Sequence, residues 1–198
     1  MQSHLRKKHR NELALALHND NFDITPEGLY FPRQGILAKG CYFDRLNGGE
    51  WQETPNLIVD EGIATILSVA FAATAKPSAF YLALFSGATA PAANWTASNF
   101  ASVSSEIVSQ SEGYTSATRP VWTPPSSTAT NSIDNLSSVA SLTIATATSL
   151  TVTGAAMLTN STRGGTTGKL ISATKYGSSR TFQNGDVYEV GYRVSLTV

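Results

Sequence analysis

Glu106 and Glu112 are the nearest approach in this sequence to the carboxylate pair of an acid–base or glycoside-cleaving site. No further pattern accompanies them, and the plainer reading is that they keep a loop soluble. No histidine follows His18 and Cys41 is the single cysteine, so the Ser-His-Asp and Cys-His arrangements are unavailable to the rest of the chain. His4, His9 and His18 stand five and nine residues apart, off a shared helical face, and offer no metal site. Between Asp134 and Asp186 there is no acidic residue, which removes that stretch as a source of hard-metal ligands. The run from Arg163 to Lys169, Arg-Gly-Gly-Thr-Thr-Gly-Lys, resembles a phosphate-binding loop only in part. It lacks the Gly-Lys-Ser/Thr ending, and a strand pattern follows where a helix N-terminus is needed. The expectation is a turn, and for the whole chain no enzyme, no cofactor and no metal. Trp51, Trp95, Trp122 and Tyr114 could make a sugar-stacking face, although aromatics in a small β domain are more often core or subunit interface.

The elements that would position these residues are mainly strands. From Asp186 to Val198, Tyr188, Val190, Tyr192, Val194, Leu196 and Val198 share one parity and polar residues fill most of the other, the period-two signature of a half-buried strand. The preceding Asn184-Gly185 suits a type I′ turn, which predicts a terminal β-hairpin. Ala140–Ala145 and Leu150–Leu158 alternate as strands, as does 169–174. Ala79–Phe85 is apolar on both parities, as expected for a strand covered on both faces. Pro120 cannot donate to a ladder, so 118–123 reads as an edge strand. Val59, Ile63, Ile66, Leu67, Ala70 and Phe71 form a helical stripe that Lys76-Pro77 ends, with Asp60 and Glu61 at the dipole-favoured N-terminus. This helix is expected to lie against the sheet that holds the Ala79–Phe85 strand, and a shorter helical piece is expected within 99–109.

With 198 residues, 14 basic against 14 acidic, the chain has room for one globular domain and an appendage. Charged residues are only 14% of the whole, and Ser and Thr carry the solubility, as suits a β-rich or assembled protein. The apolar run Leu13–Leu17 behind Arg6, Lys7, Lys8 and Arg10 is too short for a signal peptide, and no stretch is long enough to span a membrane. One cysteine excludes an internal disulfide, and Cys41 reads as a small buried hydrophobe. The predicted fold is a β-sandwich or jelly-roll-like body over 55–198 with one packed helix, preceded by an extended N-terminal arm over 1–54. The arm comprises a short basic helix and glycine-broken extended pieces, with Leu46-Asn47-Gly48-Gly49 as a hairpin turn. Its partner-binding residues are expected to be Arg6, Lys7, Lys8 and Arg10, through charge, and Leu29, Tyr30, Phe31, Tyr42 and Phe43, through apolar contact.

Taken together, the strings Asn56–Ile63, Tyr81–Gly87, Gly113–Thr115, Thr118–Trp122 and Thr181–Val198 resemble a group of virion proteins of tailed bacteriophages. The resemblance covers about residues 50–198. It implies a structural particle protein located in the virion: a capsid cement or decoration protein whose partners are other virion proteins, the major capsid protein first, and copies of itself. A tail or head-tail joining component is the alternative, and a glycan-binding module of a host-recognition fibre is a further one. The basic N-terminus gives weak support for nucleic acid as a partner. No membrane role is implied.

Overall fold

The computed structural model describes residues 22–24, 28, 30–32 and 37–197. The chain divides after Leu37. In the first unit, β1 (Phe22–Ile24) pairs antiparallel with β2 (Tyr30–Pro32), and Gly28 between them takes a φ of +80°. The second unit is mainly β, with two antiparallel sheets packed together. One sheet joins β3 (Leu37–Leu46), β4 (Gln52–Pro55), β7 (Gly113–Tyr114), β10 (Ala140–Ala145) and β13 (Val187–Thr197) in the order β4-β3-β13-β10-β7, with β9 (Ser132–Asp134) also on β13. The other joins β5 (Leu57–Ile58), β6 (Phe80–Phe85), β8 (Val121–Trp122), β11 (Leu150–Leu158) and β12 (Leu170–Phe182) in the order β5-β12-β11-β6-β8. Two helices, α1 (Asp60–Phe71) and α2 (Ala97–Ser104), are described.

The period-two row of the last strand does become core. Tyr188, Val190 and Tyr192 are buried against Leu82, Leu84 and Val152 of the facing sheet, at about 1.5–3 kcal/mol each before ordering costs. Further along, Val194 is only partly buried and Leu196 is half exposed. β8 sits at the sheet edge, as the preceding Pro120 anticipates. Asn47 and Gly48, both at positive φ, close the β3–β4 hairpin.

Three expectations are corrected or refined. The chain does not end in a hairpin: β12 and β13 belong to opposite sheets, and the Gln183–Asp186 turn arches between them. Asn184 is not at positive φ while Gly185 is at +85°, the type II rather than the type I′ pattern. Asn47 holds this arch from the side, donating from Nδ2 to Asp186 at 2.8 Å and accepting from Val187 N–H at 2.7 Å. Second, α1 lies against the expected sheet but on β12, while the outer face of β6 itself is covered by α2, where Phe85, Trp95 and Phe100 meet edge to face with ring centroids 6.1–6.3 Å apart. Third, the appendage ends before residue 54, because β3 and β4 are strands of the body.

Buried phenols tie the two sheets. Tyr188 and Tyr176 share a hydrogen bond of 2.8 Å, and Tyr42 meets the Ser172 hydroxyl at 2.9 Å. Burial pushes all three phenols above their ordinary value. A phenol whose folded-state pKa is raised contributes stability that is complete below the unfolded value of about 10 and lost as pH rises past it. Alkaline titration followed by tyrosinate absorbance should therefore show these tyrosines ionising together with loss of the circular-dichroism signal; ionisation near 10 with the fold intact would contradict their burial.

Candidate functional site

α1 is seated by its first turn. Gly62 lies so close to β12 that a Cβ there would fall 2.0 Å from the Ile171 carbonyl oxygen. Val59 N–H donates to that same oxygen at 3.3 Å. Glu61 accepts from Leu170 N–H and from Ala97 N–H, both at 2.8 Å, joining α1 to the start of β12 and to the first turn of α2. Lys169 adds a contact of 3.3 Å to the same carboxylate. Beyond this turn the apolar stripe is largely uncovered, with Ile66 over a cavity and Ile63, Leu67 and Phe71 facing outwards. Ile63, Ile66, Leu67 and Phe71 are 46, 38, 53 and 85% exposed. The expectation that this stripe would pack inward is corrected, because the inward contact is a glycine against backbone.

This cavity beneath the later half of α1 has a volume of about 560 Å³. Ile66 and Val69 of α1, Trp122 of β8, Ile133 of β9 and Val194 of β13 line it. Lys76 is the one charged residue that lines it, and two of its polar groups are satisfied within the body. Trp122 Nε1 donates to the Tyr192 carbonyl at 2.9 Å, and the Tyr192 hydroxyl accepts from Asn56 Nδ2 at 3.2 Å. Burial pushes the Tyr192 phenol up. Cavity and stripe form one apolar surface suited to contact by shape and area, with little to orient a polar ligand.

The residues singled out for chemistry are structural. Glu106 is buried against Arg119, with Nε and Nη2 each 2.7 Å from a carboxylate oxygen and both side chains fully covered. Gly164 N–H also donates to Glu106 at 3.0 Å, so the Arg163–Lys169 stretch serves as a turn that closes over this pair. Arg163 stacks 3.6 Å from the Tyr114 ring centroid and donates to the carbonyls of Tyr114, Ser116, Ser109 and Ile107. Burial pushes the Tyr114 phenol up to about 12. Glu112 accepts from Thr146 Oγ1 and Ala147 N–H at 2.8 and 3.0 Å. Loop solubility is thus the wrong reading of both glutamates: each fastens separated segments. Among the described residues, no group of three or more His, Cys, Asp or Glu comes together to hold a metal ion. No helix among them is long and apolar enough to cross a membrane. Trp95, Trp122 and Tyr114 are buried, leaving Trp51 under Arg45 with no partner from that set for a stacking face. Cys41 is half-buried, and burial pushes its thiol up.

Of the residues expected to bind partners, Tyr42 and Phe43 are 0 and 2% exposed and belong to the body's own packing. Tyr42 stacks on Tyr192, and Phe43 is covered by the Arg193 guanidinium 4.7 Å from its ring centroid. They supply no contact area to a partner, because β3 is an inner strand of its sheet. Tyr30 and Phe31 fall on β2. Arg6, Lys7, Lys8, Arg10 and Leu29 lie outside the described residues. The missed surface is α1. Its signal was Gly62, since a glycine within a helical pattern costs about 1 kcal/mol and marks a close backbone approach. No protein-family profile matches the chain, and comparison with curated proteins finds no match.

Gly62→Ala should lift α1 off β12, lowering the melting temperature and raising amide exchange across 60–71 more than in the sheets; unchanged exchange there would refute the seat. Glu106→Gln should cost about 3–5 kcal/mol in denaturant unfolding, because it leaves the Arg119 guanidinium buried without its counter-charge. A loss below about 1 kcal/mol, the scale of an exposed pair, would contradict that burial.

Proposed function

We propose that this chain is a structural protein of a bacteriophage particle, acting as a cement or decoration protein that binds neighbouring capsid subunits and copies of itself. The observation that carries the reading is the uncovered α1 stripe and the cavity continuous with it. A helix apolar on both its inner and outer faces belongs in an interior, and here that interior is supplied by association. The rest of the body is built to be rigid: its sheets are tied by internal hydrogen bonds, and Glu106 and Glu112 are spent on holding loops. A rigid β-sandwich with a largely apolar face works by contact rather than by turnover. The sequence resemblance to tailed-phage virion proteins supplies the setting, and the low charge and Ser/Thr-rich surface fit a protein that spends its life assembled.

Purified particles of the phage that carries this gene, separated into heads and tails and quantified by mass spectrometry, test the reading. Hundreds of copies per particle released with the capsid shell are expected. A few copies fractionating with tails would favour the tail component instead, and absence from particles would end the virion reading.

A further inference from the structure

We propose that α1 pairs with α1 of a second copy, antiparallel about a two-fold axis through Leu67. The stripe is self-complementary. Ile63, Leu67 and Phe71 are spaced by four and lie along one line of the helix, so an antiparallel partner centred on Leu67 places Ile63 opposite Phe71 in both directions and Leu67 opposite itself. Ala64 and Ser68 flank that line, and small side chains let two helices approach to about 8–10 Å. Phe71, at 85%, is the most exposed of the large hydrophobic side chains among the described residues, and the pairing covers it.

Charge and area both fit a second copy. From Gly62 to Ala75 the sequence has no charged residue, and Lys76 and Lys169 stand only beside the helix, so the Ile63–Leu67–Phe71 line itself offers nothing to steer a charged partner, while a copy of itself meets it with an equally neutral face. Helices that lie on lipid carry Lys and Arg on their polar side. α1 has none, and its only charges are Asp60 and Glu61. Ile63, Leu67 and Phe71 with the flanking Ala64 and Ala70 offer roughly 450 Å² per copy, about 900 Å² in total, the size of a weak, reversible dimer. The antiparallel arrangement also opposes the two helix dipoles favourably.

The full chain with Cys41→Ala, examined by light scattering over a concentration series, should have twice the monomer mass. Leu67→Glu should raise the dimer dissociation constant at least about tenfold while leaving the thermal melt of dilute, monomeric protein unchanged, since Leu67 is exposed in one copy. Leu67→Cys in the same background should cross-link to itself on mild oxidation, and mixed Ile63→Cys and Phe71→Cys chains should cross-link to each other more than to themselves. A monomer at all concentrations, or a dimer indifferent to Leu67→Glu, overturns the proposal. So does α1 amide protection gained only on emptied capsids, which would make a coat subunit the occupant, or only on anionic vesicles, which would make it lipid. The pairing goes beyond the virion reading and fails separately: dimers absent from particles would remove the virion role alone, and monomers built into particles would remove the pairing alone.

Discussion

Everything in the body depends on how one sheet is locked to the other. The layer between them is apolar, yet it is crossed by polar links that each join opposite sheets: Tyr188 to Tyr176, Tyr42 to Ser172, Trp122 to the Tyr192 carbonyl, and Asp44 to Arg180 at 2.7 Å. Hydrophobic burial is non-directional and would tolerate sliding of the sheets. A buried hydroxyl or carboxylate does not, because losing its partner strands a desolvated group at about 1–3 kcal/mol. The links therefore select one registration of the two layers. Arg180 reinforces this by stacking 4.7 Å from the Tyr176 ring centroid.

That registration demands irregular backbone. The pairing of β11 with β12 jumps from Val152 opposite Arg180 to Gly154 opposite Lys175, so β12 carries several extra residues facing Thr153. Tyr176 lies within this excess and reaches Tyr188. Gly154 answers a second crowding, since a Cβ there would fall 2.2 Å from the Thr174 carbonyl oxygen and 2.3 Å from the Phe85 ring. The outer face of the five-stranded sheet thereby accommodates Phe85, Trp95 and Phe100, with Val59, Leu158 and Leu170 in the same cluster. Glu61 links this second core to α1 by capping the N-terminus of α2.

The same fastening leaves α1 with a divided role. Its first turn belongs to the fold, and its later turns carry Ile63, Leu67 and Phe71 into solvent. Stability of the body and capacity for association are thus separate on one helix, which lets outer-face substitutions report on partners without unfolding the sandwich. The cavity behind Ile66 and Val69 adds apolar surface that a partner could also reach.

Much of this was legible in the residues. The alternation of Tyr188, Val190 and Tyr192, the Asn47-Gly48 turn, the edge position marked by Pro120 and the strand limits Ala140–Ala145 and Leu150–Leu158 are set by local backbone geometry and side-chain parity, which a sequence carries directly. So was the mainly β class. The pairing of Glu106 with Arg119, the burial of Tyr42 and Phe43, and the arch that sends β12 and β13 to opposite sheets were decided only in three dimensions, because each depends on partners distant in sequence or in another layer. The outward turn of α1 is the clearest case. Periodicity located an apolar stripe but could not say whether it faced the sheet or solvent, and the orientation was settled by the close approach of Gly62 to the Ile171 carbonyl, a backbone contact that leaves no trace in hydrophobicity.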